Sequence, residues 1–92
     1  MAQFMVVSMF KEGTVMDEVF AVVAEEQAKV RQLVDEGLLG SIYLATAARG
    51  TVFLETFADD AEAAADIVRT LPMAKWWDLD VYPLNPPREV AS

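Results

Sequence analysis

Ninety-two residues with no cysteine, no histidine and a formal charge of −8, from 15 acidic against 7 basic side chains, confine the chemistry of this chain to carboxylates, hydroxyls, amines, guanidinium groups and the backbone. Disulfides, thiolate nucleophiles, imidazole-based triads and nearly all zinc sites are excluded, and the acidic balance opposes a nucleic-acid partner, whose affinity rests on clustered Lys and Arg. One small domain is expected, and its 54 % hydrophobic content exceeds what so thin a core absorbs, so part of the apolar surface is expected to meet another subunit.

In chain order, "QFMVVSMF" (3–10) is a short β-branched, aromatic and Met run with apolar groups on both faces, ended by "KEG"; it predicts a central strand buried on two sides. "TVMDEVFAVVAEEQAKVRQLVDEG" (14–37) predicts one helix, with Thr14 and Asp17 spaced as a capping box and Gly37 in the left-handed closing position. Val19, Phe20, Val23, Val30 and Val34 recur in it at helical spacing as one apolar stripe. "LLGSIYLATA" (38–47) and "TVFLETF" (51–57) predict two strands joined by "ARG", with Gly50 free to take a positive φ in the hairpin. Asp59 or Asp60 then caps a helix over 61–71, whose apolar face is Ala64, Ile67, Val68 and Leu71 and whose exit is forced by Pro72. Residues 77–82 supply the last strand. The proline-rich stretch from Pro83 onward predicts an extended segment unable to join the sheet, which we expect to lie across a neighbouring subunit; the domain is placed at 1–84 and a tail at 85–92.

The order βαββαβ is the split βαβ arrangement called ferredoxin-like, an α+β fold with a four-stranded antiparallel sheet and both helices on one face. The other face is left bare, and its apolar residues predict a homodimer or higher homo-oligomer packed sheet to sheet. On the last strand Trp77, Leu79 and Val81 share the core face, while Trp76, Asp78, Asp80 and Tyr82 share the other. Trp76 is therefore expected at the rim of the bare face, against a neighbouring subunit or lining a ligand cleft. No apolar run approaches the ~20 residues that span a bilayer, and the opening residues lack the basic and apolar regions of a signal peptide. A cytoplasmic location without membrane association is expected.

The long helix ending "LVDEGLL", the stretch "ADDAEAAADIVRTLPM" and the closing "WDLDVYPLNPP" together resemble the muconolactone Δ-isomerase family of small dimeric α+β barrel proteins over almost the whole chain. The most specific part is a helix closing on Leu71, Pro72 and Met73, followed after a short gap by a strand of alternating acidic and apolar residues and a proline-containing tail. The resemblance implies a proton shift that moves a lactone double bond, no cofactor, and assembly into dimers or larger rings.

A cofactor-free 1,3-proton shift needs a base poised near the working pH and a donor for the enolate oxygen. Glu55, between Phe53 and Phe57 on one strand face, is the leading candidate for the base; the alternative is a rim carboxylate paired with Arg49, Lys11 or a partner subunit. Tyr43 and Ser8 are the candidate donors, or else satisfied structural polar groups. Trp76, Phe53, Asp78 and Asp80 are candidates for substrate contact; the two aspartates, two apart on one strand face, supply too few oxygens for a metal and equally suit a solvated rim. The five methionines read as core filler, with no thiolate or imidazole beside them for copper. Three functions follow: an isomerase or tautomerase acting on a small lactone, enol or polyketide-like molecule, a noncatalytic small-molecule-binding or assembly protein on the same barrel, or a cofactorless monooxygenase.

Overall fold

A computed structural model describes residues 1–85 of the chain. The elements are β1 (Ala2–Phe10), α1 (Met16–Phe20), α2 (Val23–Asp35), β2 (Leu39–Ala45), the one-turn α3 (Thr46–Arg49), β3 (Thr51–Ala58), α4 (Ala61–Arg69), a 3₁₀ turn (Pro72–Trp76) and β4 (Trp77–Pro83). The four strands form one antiparallel sheet in the order β2-β3-β1-β4, which is the ferredoxin-like α+β arrangement. The predicted single helix over 14–37 is two helices, because the ladder is interrupted at Ala21 and Val22. Thr14 does not cap it: its hydroxyl donates to the Lys11 carbonyl at 2.6 Å, and Val15 holds the cap position without a side-chain bond. The hairpin predicted around "ARG" contains α3, which Gly50 closes at φ 56°.

Local chemistry explains where α4 begins and ends. Asp60 accepts from the Ala63 amide at 2.8 Å and satisfies an otherwise orphaned donor, Glu62 and Arg69 lie at the helix ends that favour their charges, and Pro72 opens the 3₁₀ turn. Asp60→Ala is expected to cost about 1 kcal/mol and to lower the melting temperature by about 4–8 °C in a domain of this size, read by thermal circular dichroism.

Register fixes the two faces of the sheet. In β1 and β3, Phe4 lies opposite Thr56, Val6 opposite Leu54 and Ser8 opposite Val52, and β4 adds Val81 beside Val6, Leu79 beside Ser8 and Trp77 beside Phe10. These residues face the helices and form the core with Leu33, Leu39, Ala64, Val68 and Leu71. Trp77 is only 5 % exposed and meets Phe10 edge to face, with ring centroids 6.0 Å apart, the core position that its strand face predicts. The opposite face carries Met5 and Val7 between Phe53, Glu55 and Phe57 on one side and Asp78, Asp80 and Tyr82 on the other; no element of the described chain covers it. Beyond β4, the Leu84 amide donates to the Gln3 carbonyl at 3.0 Å. Pro83, where the extended tail is expected to leave the sheet, instead ends β4 opposite Phe4, and the rest of the expected tail crossing beyond Asn85 lies outside the described residues. No helix among the described residues is long and apolar enough to cross a membrane.

Candidate functional site

Between the helices and the core face of the sheet lies an apolar cavity of about 490 Å³. Its floor is the sheet, through Phe10, Ile42, Val52, Leu54 and Trp77. Its roof is α1 and α2, through Met16, Val19, Phe20, Val23 and Val30, and Met73 of the 3₁₀ turn closes one end. Phe20 and Leu44 also border it and are 64 % and 72 % exposed, so the cavity opens to solvent between two apolar side chains. A volume of this size and an apolar lining with few polar groups suit a small organic molecule.

One carboxyl group enters this lining. Glu26, half-buried on α2, accepts a hydrogen bond from the Met73 amide through Oε1 at 3.0 Å, and its carboxylate makes no other hydrogen bond among the described residues. Burial beside apolar walls pushes its pKa above the ordinary carboxylate value, and the Met73 hydrogen bond offsets part of that rise. The result is a carboxyl anchored by one oxygen, with the other available, inside an apolar chamber. Gln27 and Thr46 complete the polar part of the lining.

The residues singled out from sequence divide between the two faces. Glu55, Tyr43, Phe53, Asp78 and Asp80 all lie on the bare face, where Tyr43, Phe53, Val7 and Asp80 form one row across the four strands. Ser8 is fully buried on the helix-covered face, so the sheet separates it from Glu55 and the three proposed catalytic groups do not form one constellation. Its hydroxyl has no hydrogen-bond partner among the described residues.

Glu55 is held at both oxygens: the Gln3 side-chain amide donates to Oε2 and the Ser41 backbone amide to Oε1, the latter at 2.9 Å. Its carboxylate therefore pins the irregularity in β2 between Leu39 and Ile42. Gly40 makes room for it, since a Cβ there would overlap the carboxylate. Trp76 ends the 3₁₀ turn outside the cavity wall, with the Lys75 ammonium 4.5 Å above its ring. Among the described residues no three acidic side chains converge as a metal site.

Glu26 escaped sequence reasoning because it stands beside Glu25 in a charged helix. The available signal was its phase: Val23, Glu26, Val30 and Leu33 follow one another at helical spacing of three and four, so Glu26 occupies a slot in the buried stripe rather than on the wet side.

A ferredoxin-like sheet roofed by helices over an apolar cavity with one anchored carboxyl defines a small α+β domain. A model of the muconolactone delta-isomerase family matches residues 3–89, and the chain belongs to that family. No curated protein matches the chain.

Proposed function

We propose that the protein is a cofactor-independent isomerase or tautomerase that moves a proton on a small lactone, enol or polyketide-like molecule, with the cavity as its active site and Glu26 as its base. The observation that carries this reading is the position of Glu26, a carboxyl in an apolar chamber with one oxygen held and the other unengaged. The ionised carboxylate takes a proton from the carbon beside the substrate carbonyl, and the released electron pair delocalises onto the carbonyl oxygen as an enolate. The same carboxyl then returns the proton to the carbon two positions along, which shifts the double bond and regenerates the base. Gln27 and Thr46 are the side-chain donors in the lining that suit the enolate oxygen. Glu55, engaged at both oxygens on the other face, is assigned the structural task of holding β2.

Incubating the protein in D₂O with a panel of lactones and enols and following loss of a carbon-bound proton by NMR tests the reading. Catalysed exchange is expected for ring-sized unsaturated members. Binding without exchange across the panel would replace the isomerase with a noncatalytic ligand-binding protein.

We also propose a homodimer packed through the bare face, because Met5, Val7, Phe53 and Phe57 lie there only partly buried and Tyr43 and Tyr82 stand exposed. Light scattering after size exclusion is expected to give at least twice the 10.2 kDa chain mass, and Phe53→Lys to give the monomer. A wild-type monomer at micromolar concentration would refute it.

A further inference from the structure

The apolar cavity runs across the sheet. Its lining includes Leu44 of β2 and Trp77 of β4, which are the two edge strands of the order β2-β3-β1-β4. In register, Leu44 pairs with Val52, Val52 with Ser8 and Ser8 with Leu79, the residue two along from Trp77. Three interstrand spacings separate the edges, about 14 Å of backbone at ~4.8 Å each. The volume agrees with that span. About 490 Å³ lies within the roughly 300–1,000 Å³ of sites that enclose drug-sized ligands, and it is several times what an unsubstituted lactone ring fills.

The two ends differ in chemistry. On the β4 side, the 3₁₀ turn that leads straight into the strand presents the Met73 amide, and this amide holds the Glu26 carboxylate. Gln27 follows Glu26 on α2 and also lines the cavity, whereas Thr46, the other donor in the lining, stands beyond the end of β2. The reacting ring is therefore assigned to the Glu26 and Gln27 end. On the β2 side the cavity opens between Phe20 and Leu44, both large, apolar and exposed. Such side chains around an opening gain by contact with an apolar group that leaves it.

Between the ends the walls are aliphatic, through Val23, Val30, Ile42, Val52 and Leu54. No lysine or arginine lines the cavity among the described residues. Nothing along this path compensates a charged or strongly polar group for its lost hydration.

We propose that the substrate is elongated, a lactone or enol ring seated beside Glu26 and carrying a neutral apolar arm, alkyl or aryl, that crosses the sheet to the mouth between Phe20 and Leu44. The place of the ring rests on the isomerase reading, and the arm is an addition to it. Because the arm is remote from the reacting carbons, it binds equally in the ground state and the transition state. Its effect falls on KM rather than on kcat.

Butenolides carrying a methyl, butyl or octyl arm on the ring, together with one carrying a polyether arm of octyl length, are titrated into the full chain by calorimetry and followed by proton exchange in D₂O. Affinity is expected to rise by up to about fourfold per methylene from methyl to octyl and to fall back with the polyether. KM for exchange is expected to follow the affinity while kcat stays nearly constant. Leu44→Asp, an exposed edge-strand variant checked for folding by circular dichroism, is expected to remove most of the gain of octyl over butyl. Binding that tightens with arm length while no member exchanges supports the arm site and refutes the isomerase reading. Exchange with the same KM for methyl and octyl supports the isomerase and overturns the arm. Equal affinity across the series, a polyether bound as tightly as octyl, or an octyl gain left intact in Leu44→Asp would each overturn the proposal as well.

Discussion

Glu26→Gln is expected to reduce the proton-exchange rate by about 10²-fold or more while leaving the fold intact. The substitution keeps the shape of the side chain and an oxygen for the Met73 amide, and it removes the group that accepts the substrate proton; loss of a general base commonly costs on this scale. The pH dependence follows from the direction of the shift. Because burial raises the Glu26 pKa, the active ionised form appears only as pH rises through that raised value, and kcat/KM of the wild type is expected to climb over the same interval.

Stability moves the other way. Between the ordinary carboxylate pKa and the raised one, the folded state binds more proton than the unfolded state, so the Glu26 contribution is fully present below that window and is lost as pH rises through it. In Glu26→Gln this dependence disappears, and the variant is expected to melt no lower than the wild type above the window. Thermal melts and exchange rates at several pH values on one preparation check both signs. Undiminished exchange in a folded Glu26→Gln protein would remove it as the base, and Glu55→Gln would be the next variant to measure.

The second large effect concerns Leu54, 1 % exposed in β3 and flanked by Val6 and Ile42 in register. Leu54→Ala removes buried methyl groups from the floor of the chamber and leaves a void, which costs about 2–5 kcal/mol. A domain with about 5–15 kcal/mol of total stability loses much of its margin, and each kcal/mol lowers the melting temperature by about 4–8 °C. Leu54→Met conserves volume and is expected to cost less than about 1.5 kcal/mol. Chemical denaturation of the two variants side by side measures the difference, and equal losses would mean that packing at this position is not what stabilises the sheet.

What the sequence disclosed depended on how local the governing physics is. Gly37 and Gly50 at positive φ, Asp60 as a cap, Pro72 as a stop and Trp77 as a core residue all follow from one residue and its near neighbours. The strand and helix order that gives the ferredoxin-like sheet was legible for the same reason. The break at Ala21 and Val22 was hidden, because nothing there is a glycine or proline and both residues continue the apolar pattern.

Which of the candidate groups share a face was hidden for a different reason. Alternation along β1 sets Ser8 with Phe4 and Val6, and alternation along β3 sets Glu55 with Phe53, but which parity of one strand shares a face with which parity of the other is a matter of register. Met5 lies opposite Glu55, so Ser8 falls on the far side. That pairing joins segments some fifty positions apart, and no window of sequence contains it. The phase of Glu26 with Val23 and Val30 on α2 is readable in the sequence, but its charge beside Glu25 matches the wet side of the helix equally well.

The placement of β1 governs how this chain comes to fold. It is the first strand made and a central strand of the sheet, bordered by β3 and by β4, with Phe4 paired to Pro83 and Phe10 to Trp77. During synthesis its apolar edge waits for a partner that emerges last, and the loop closed by their pairing spans nearly the whole domain. Such non-local pairing slows folding and leaves an unpaired strand edge exposed to other chains in the interval. A nascent chain that stops before Trp77 lacks β4, the partner of this edge of β1, and an unpaired strand edge is a template for pairing with other chains.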